Sequence, residues 1–170
     1  ADGESPRIWS DSYGDIVTMS SRRANGTQAI PTALLSGNQI FNVSVFGYGA
    51  TGYTASQRGF IGFFAEENWT DAAQGSRIVF ATATIGSASA GVERMRSDGA
   101  GFIGINTTTA DRRVDILDGS GPQLRLTFAD AASYTDFQTD LNGYLTITPI
   151  GARYYLGANS SILDMTGTGT

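Results

Sequence analysis

Hydrophobic and polar residues alternate along this chain in short runs, with almost nothing at helical spacing. Phe41, Val43 and Val45 alternate with Asn42, Ser44 and Phe46, which predicts a strand with one apolar and one mixed face. Phe60-Ile61-Gly62-Phe63-Phe64-Ala65 is apolar on both faces, as expected of a strand covered from two sides, between layers or between subunits. Arg77 to Thr84 forms another strand, carrying Ile78 and Phe80. Val114-Asp115-Ile116 begins a further one, turned by Asp118-Gly119-Ser120-Gly121-Pro122. Leu124, Leu126 and Phe128 alternate with Arg125 and Thr127, the cleanest half-buried pattern in the sequence, and Leu145 with Ile147 repeats it. Arg153-Tyr154-Tyr155-Leu156 reads as one more strand. Arg23 to Asn38 and Ile85 to Gly91 read as loops, Gly47 to Tyr53 as a glycine-rich turn, and Glu66 to Gln74 as a loop with at most one turn of helix.

Between the strands a small unit recurs. Ile8-Trp9-Ser10-Asp11-Ser12-Tyr13-Gly14-Asp15-Ile16, Met95-Arg96-Ser97-Asp98-Gly99-Ala100-Gly101-Phe102-Ile103 and Phe137-Gln138-Thr139-Asp140-Leu141-Asn142-Gly143-Tyr144-Leu145 share one grammar. An apolar residue is followed by two spacers, Asp, two residues, Gly, one residue, then Ile or Leu. This spells a β-hairpin: the Asp side chain bonds backbone N–H groups two residues on, and the Gly takes a positive φ. Stacked hairpins with little between them predict an elongated structure.

The predicted fold is all-β, with about ten to twelve short strands in elongated antiparallel hairpin and sandwich-like units. The pattern divides the chain into an N-terminal strand or hairpin segment at 1–20, a β domain at 21–117, a second hairpin unit at 118–157 and a tail at 158–170. Many strands carry only two inward apolar residues, with Gly at neighbouring positions. Such units need neighbours to cover their faces and edges. Homo-oligomeric packing, as a trimer about an axis or a helical filament, is therefore expected to complete the fold. The expected core and interface residues are Phe41, Val43 and Val45, then Phe60, Phe63 and Phe64, and Ile78 with Phe80. Leu124, Leu126, Phe128, Leu145 and Ile147 complete the set. Ile8 to Val17 or Ile162 to Met165 are candidates to add as a strand to the next subunit.

Composition narrows the chemistry. The 170 residues include no Cys, His or Lys, and all eleven basic residues are Arg. Disulfides, an imidazole base, a thiolate and a Schiff-base amine are thus excluded, as are the usual zinc ligands. No cofactor and no metal site are expected, and the chain is expected not to be an enzyme. A net charge of −5 disfavours nucleic acid as a partner, and Arg22-Arg23 and Arg112-Arg113 read as exposed rims. No 18-residue apolar run is present, so membrane insertion is not expected. The chain starts at Ala1 without a Met, the form expected of a processed chain or a fragment, with a removed secretion signal compatible with it.

Two stretches resemble a known family. Glu67-Asn68-Trp69-Thr70, Gln74 to Phe80, Glu93-Arg94-Met95-Arg96 and Gly104-Ile105-Asn106-Thr107-Thr108 are similar to the shaft region of bacteriophage tail fibres. That resemblance covers roughly Gly47 to Asp115. Pro122 to Thr127, Tyr134 to Asp140 and Gly143 to Ile147 resemble repeats of phage fibres and of secreted bacterial surface proteins. Asn106 stands where the family usually has Gly, and Ala110-Asp111 replaces the usual Pro. The self-cleaving C-terminal chaperone of many such fibres, which uses a Ser and a Lys, has no counterpart here. The resemblance implies an elongated, trimer-forming, non-enzymatic β shaft located outside the cell, on a virion surface or in a secreted filament.

Asn25, Asn42, Asn68, Asn106 and Asn159 are N-x-S/T sequons, five of the seven Asn in the chain. A Ser and Thr content this high yields about one or two by chance, so they are candidate N-glycosylation sites. Glycans there would favour a secreted filament over a phage fibre. Glu66, Glu67 and Asp71 beside Trp69 are the densest acidic cluster and admit a carboxylate-based glycan hydrolase, although adjacent residues of an extended strand point to opposite faces. Tyr48, Tyr53 and Trp69 are candidate contacts for a host-surface glycan, in the rival reading of a receptor- or glycan-binding module. Asp111, Asp115 and Asp118 are oxygen donors of the kind a Ca²⁺ site needs but lack calcium-loop spacing, the Asp residues of the hairpin units read as turn caps, and Arg94, Arg96 and Arg125 are expected to pair with carboxylates between subunits.

Overall fold

A computed structural model describes residues 8, 10–130 and 132–150. Arg153–Leu156, the tail and the Ile162–Met165 segment lie outside them. The described residues form strands and loops, with no helix. Eleven strands appear: β1 (Asn25–Gly26), β2 (Pro31–Thr32), β3 (Gln39–Val45), β4 (Gly59–Ala65), β5 (Ser76–Thr82), β6 (Val92–Ser97), β7 (Ile103–Ile105), β8 (Val114–Ile116), β9 (Leu124–Ala129), β10 (Ser133–Thr139) and β11 (Leu145–Pro149). β3 to β8 form one six-stranded sheet in sequence order, β9 to β11 a three-stranded sheet, and β1 with β2 a two-stranded ladder. Neighbours pair antiparallel except β7 and β8, which are parallel.

Strand register decides where the apolar residues go. Across the six-stranded sheet the ladders align Val43, Ile61, Phe80, Met95, Ile105 and Ile116 in one unbroken apolar row. The adjacent row is Phe41, Phe63, Ile78, Ser97, Ile103 and Val114, apolar but for Ser97. Side chains alternate between faces, so both rows lie on the same side. The opposite side carries the row Asn42, Gly62, Val79, Arg96, Gly104 and Asp115.

The two sides are covered differently. On the mixed side Phe60 and Phe64 fold over Gly62, where a Cβ would stand 2.7 Å from the Phe64 ring and 3.1 Å from that of Phe60. The Arg77 guanidinium lies 5.2 Å from the centre of the Phe64 ring. Long side chains on small neighbours thereby bury Val79 and Ala81. The apolar side has no such cover: Val43 is 53% exposed and Val114 56%. The three-stranded sheet repeats the arrangement, with Leu124, Phe137 and Ile147 in one row and Arg125, Asp136 and Thr148 in the row behind it. Leu126 and Leu145 stand exposed on its apolar side. Phe128 falls at the register shift opposite Ser133 and Tyr134 and is almost wholly exposed.

Among the described residues the buried apolar side chains are Leu34, Ala65, Val79 and Ala81, all small or medium in size.

Two of the three recurring units close as hairpins with one geometry. Asp98 N–H donates to the Phe102 carbonyl and Gly101 N–H to the Asp98 carbonyl, both at 3.0 Å, while Asp98 Oδ1 accepts from Ala100 and Phe102 N–H. Asp140, Asn142, Gly143 and Tyr144 repeat each of these bonds. Gly101 and Gly143 sit at φ of 78° and 80°, as the last residue of such a three-residue loop requires. In the first unit Gly14 keeps a positive φ and Ser12 Oγ donates to the Asp15 carbonyl, and among the described residues no strand flanks the turn and Ile8, Tyr13 and Ile16 are exposed.

Arg23 to Asn38 also departs from the expected plain loop, because β1 and β2 pair around a turn closed by reciprocal Thr27–Ile30 backbone bonds. Asn106, at the usual Gly position of the tail-fibre pattern, takes φ 58°, a left-handed conformation that Asn tolerates better than most residues. Its Nδ2 donates to the Leu117 carbonyl and so ties the β7–β8 loop to the end of β8.

Candidate functional site

The largest chemically coherent feature is the uncovered apolar side of the six-stranded sheet. Of the expected interface residues, Phe41, Val43, Phe63, Ile78 and Phe80 stand in its two rows, and Val45 continues the side opposite Gly59. Phe60 and Phe64 belong to the other side and are half-buried over Gly62. Leu124, Leu126, Leu145 and Ile147 line the apolar side of the three-stranded sheet. The sequence reading missed Met95, Ile103, Ile105, Val114 and Ile116. Their alternation with Arg94, Arg96, Gly104 and Asp115 was the available signal, overshadowed by the hairpin grammar in the same residues.

Trp69 and its acidic neighbours form a tied loop. The Trp69 indole Nε1–H donates to the Gly75 carbonyl at 3.0 Å, and its backbone N–H to the Leu34 carbonyl at 2.8 Å. Glu67 Oε1 accepts the Gly75 N–H at 2.6 Å. Glu66 Oε2 accepts the Gly99 N–H, which pins the tip of the β6–β7 hairpin to the β4–β5 loop. One oxygen of each carboxylate thus closes backbone structure, and the two glutamates reach different partners. Asp71 is exposed.

The sequons are mostly structural. Asn25 Nδ2 donates to the Ala33 carbonyl and to Asn38 Oδ1, Asn42 Nδ2 to Gln57 Oε1, and Asn106 Nδ2 to the Leu117 carbonyl. Asn68 is exposed and accepts the Ser36 N–H through Oδ1, which leaves its Nδ2 unengaged. Asn159 lies outside the described residues.

The arginines expected to bridge subunits are satisfied within the chain. Arg96 makes a two-point contact with Glu93 at 2.5 and 2.9 Å, which raises its pKa, and Arg94 donates to the Thr82 and Thr84 hydroxyls. Arg125 pairs with Asp136 across β9 and β10. Each lies beside its partner on a neighbouring position or strand, so no second copy is needed. Arg22, Arg112 and Arg113 are exposed, as expected. Asp115 Oδ2 accepts the Asp111 N–H, and Asp118 Oδ1 accepts from both Ser120 N–H and Oγ, which holds the Asp118 carboxyl below its ordinary pKa. Among the described residues no three acidic groups converge as a metal site.

Among solved structures, this chain is similar to one titled as the carboxy-terminal domain of the bacteriophage T5 L-shaped tail fibre, with 22% identity and a TM-score of 0.44. The overlap covers 72% of this chain and 42% of that one. No family model matches the chain, and no curated protein matches it.

Tyr48 and Tyr53 stand apart from both apolar sheet sides, in the loop between β3 and β4. They face each other across an antiparallel bridge, with ring centres 5.1 Å apart and planes at 85°. Gly49 N–H donates to the Gly52 carbonyl and Thr54 N–H to the Gly47 carbonyl, at 2.8 and 2.9 Å. The two rings are 67% and 77% exposed. Trp69, grouped with them in the sequence reading, is half-buried in a different loop.

Proposed function

We propose that this chain is a non-enzymatic structural subunit of an extracellular fibrous assembly of the phage tail-fibre kind, on a virion surface or in a secreted filament. The observation that carries this reading is the continuous apolar side of the six-stranded sheet, whose longest row runs across all six strands with Val43, Ile61 and Ile105 exposed and Phe80, Met95 and Ile116 half-buried. Water-facing rows of this size are costly, at roughly 1.5–3 kcal/mol per large aliphatic or aromatic side chain left uncovered. Each copy carries the same rows, so identical copies arranged about a common axis cover one another with a single repeated contact. Folding and assembly are then one event.

The acidic loop supports the same reading, since Glu66 and Glu67, although they line one open hollow with Asp98, each commit a carboxylate oxygen to a backbone N–H. The test is sedimentation of the purified chain over a range of concentrations, with negative-stain microscopy of the product. A defined oligomer or filament is the expected result. A compact monomer that melts cooperatively, with no dependence on concentration, contradicts it.

A further inference from the structure

The chain contains two Asn-Gly steps, Asn25–Gly26 in β1 and Asn142–Gly143 in the β10–β11 loop, and the fold treats their amides in opposite ways. Asn25 is half-buried, and its Nδ2 donates to the Ala33 carbonyl and to Asn38 Oδ1. Asn142 is exposed, and among the described residues its side-chain amide has no partner. Its backbone N–H donates to Asp140 Oδ1. Folding does not need an amide at this position, because the β6–β7 hairpin makes the same loop bonds with Ala100 in the corresponding place.

The two hairpin tips are also held differently. The Gly99 N–H of the β6–β7 tip is tied to Glu66 in another loop. Among the described residues the hydrogen bonds of Asp140 to Tyr144 stay within their own loop. Leu141 is wholly exposed, and a Cβ on Gly143 would meet nothing within 4 Å. A tip tied only to itself opens at lower cost than one pinned from outside.

We propose that Asn142 is a site of spontaneous deamidation, a one-way modification that undoes the β10–β11 turn. The Gly143 backbone nitrogen gives its proton to hydroxide and attacks Asn142 Cγ. The new N–C bond closes a succinimide ring, the Cγ–Nδ2 bond breaks, and Nδ2 takes a proton from water and leaves as ammonia. Water then adds to either ring carbonyl and opens the ring as aspartate or isoaspartate. Gly143 has no side chain to crowd the attacking nitrogen. In the closed loop its N–H is held by the Asp140 carbonyl at 3.0 Å, so the reaction proceeds from a locally opened tip. Isoaspartate carries the main chain through Cγ and lengthens it by a methylene, which a three-residue loop cannot absorb without losing its closing bonds. Aspartate instead sets a second carboxylate two residues from Asp140. The site does not depend on the fibre reading, since this loop is exposed in a single chain.

The experiment holds the full chain, in its native assembly state, at mildly alkaline pH and follows each Asn by peptide mapping, with an isoaspartate-specific methyltransferase as the second readout. Asn142 should convert at least about tenfold faster than Asn25, whose two side-chain bonds must break first. Asp140→Ala removes the carboxylate that closes the loop and should speed conversion of Asn142 about fivefold. Asn142→Ala, which copies the β6–β7 tip, should fold and sediment as wild type and abolish methyl labelling in this loop. The converted chain, separated by its added charge, should melt below the unconverted one. Conversion of Asn25 as fast as Asn142 overturns the proposal, as does an Asn142 that survives while a free peptide of the same loop is consumed. An Asp140→Ala chain that converts no faster than wild type, or a converted chain that melts unchanged, overturns it as well. Sedimentation, read in parallel, reports on the fibre reading separately.

Discussion

The guanidinium of Arg125 grips the carboxylate of Asp136 at two points, Nε to Oδ1 at 2.6 Å and Nη2 to Oδ2 at 2.7 Å, directly across the β9–β10 ladder. Arg125 also lies over the Tyr134 ring, 3.7 Å from its centre. Both contacts are on the polar side of the three-stranded sheet. They bias the register in which Leu124, Leu126 and Phe137 point the other way, since a slip of one residue would turn every side chain over. A two-point Arg–carboxylate contact is the geometry best suited to that task.

This pair sets a pH dependence. Arg125 holds the Asp136 carboxyl below its ordinary range, chiefly through the hydrogen bonds and secondarily through its charge. The folded pKa is therefore lower than the unfolded value of about 4. The stabilisation is fully present above the unfolded value and is lost as pH falls through the folded one. Thermal melting between neutral pH and pH ~2 should show an acid loss of stability that Asp136→Asn reduces. The variant should already melt lower than wild type at neutral pH. An unchanged acid profile in the variant would show that the pair adds nothing to folding.

The Asp–Gly hairpins make a second, internally controlled prediction. Asp98 and Asp140 each accept two backbone N–H groups, whereas Asp11 accepts none among the described residues. Asp98→Ala and Asp140→Ala should each destabilise by about 1 kcal/mol. Gly101→Ala and Gly143→Ala, which force a Cβ into left-handed backbone, should cost roughly 1–2 kcal/mol. Asp11→Ala should fall within about 0.5 kcal/mol of wild type. Denaturant titration of the set checks the contrast. A cost for Asp11→Ala equal to the others would mean the first unit is a hairpin after all.

That contrast also marks how far the sequence could be read. The alternation of Phe41, Val43 and Val45, and of Leu124 and Leu126, placed β3 and β9 because period-two burial is written in neighbouring residues. The hairpin grammar placed the β6–β7 and β10–β11 turns because the Asp and Gly act on their own backbone. Three features were hidden because they depend on distant partners. Around the first unit no strand is seen among the described residues, although its turn signal is the same. The row from Val43 to Ile116 emerges only when six registers align. The separation of Phe60 from Phe63 onto opposite sides follows from alternation, but a strand apolar on both faces gave no hint of which side would close over Gly62. The bare Tyr48–Tyr53 pair was legible as residue types, and its isolation from Trp69 was not.

Asn106 offers a third test, on the β7–β8 connection. At φ 58° a Gly fits freely, an Asn fits tolerably and a branched residue is strained. Asn106→Gly should therefore keep the fold, trading the Leu117 bond for relaxed backbone, and should stay within about 1 kcal/mol of wild type. Asn106→Val loses the bond and adds strain, and should cost about 2 kcal/mol or more. Equal melting of the two variants would show that the turn is not held in left-handed backbone in solution.

Ile61 stands between Val43 and Phe80 in the longest apolar row, and it is 43% exposed in a single copy. Substitution there separates folding within a chain from association between chains. In an isolated subunit Ile61→Asp removes little burial, so it should cost about 1 kcal/mol or less. If copies cover one another through this row, the same change places a carboxylate in a shared apolar contact once per subunit, and an unpaired buried charge is strongly unfavourable. The expected result is dissociation by sedimentation, together with loss of any rise in melting temperature with protein concentration, since association stabilises by mass action. Thr146→Asp, exposed opposite Gln138 on the polar side of the three-stranded sheet, is the matched control and should leave both measurements unchanged. An Ile61→Asp chain that sediments and melts as wild type would mean that this row stays in water, and that the assembly, if one forms, is built through other surfaces.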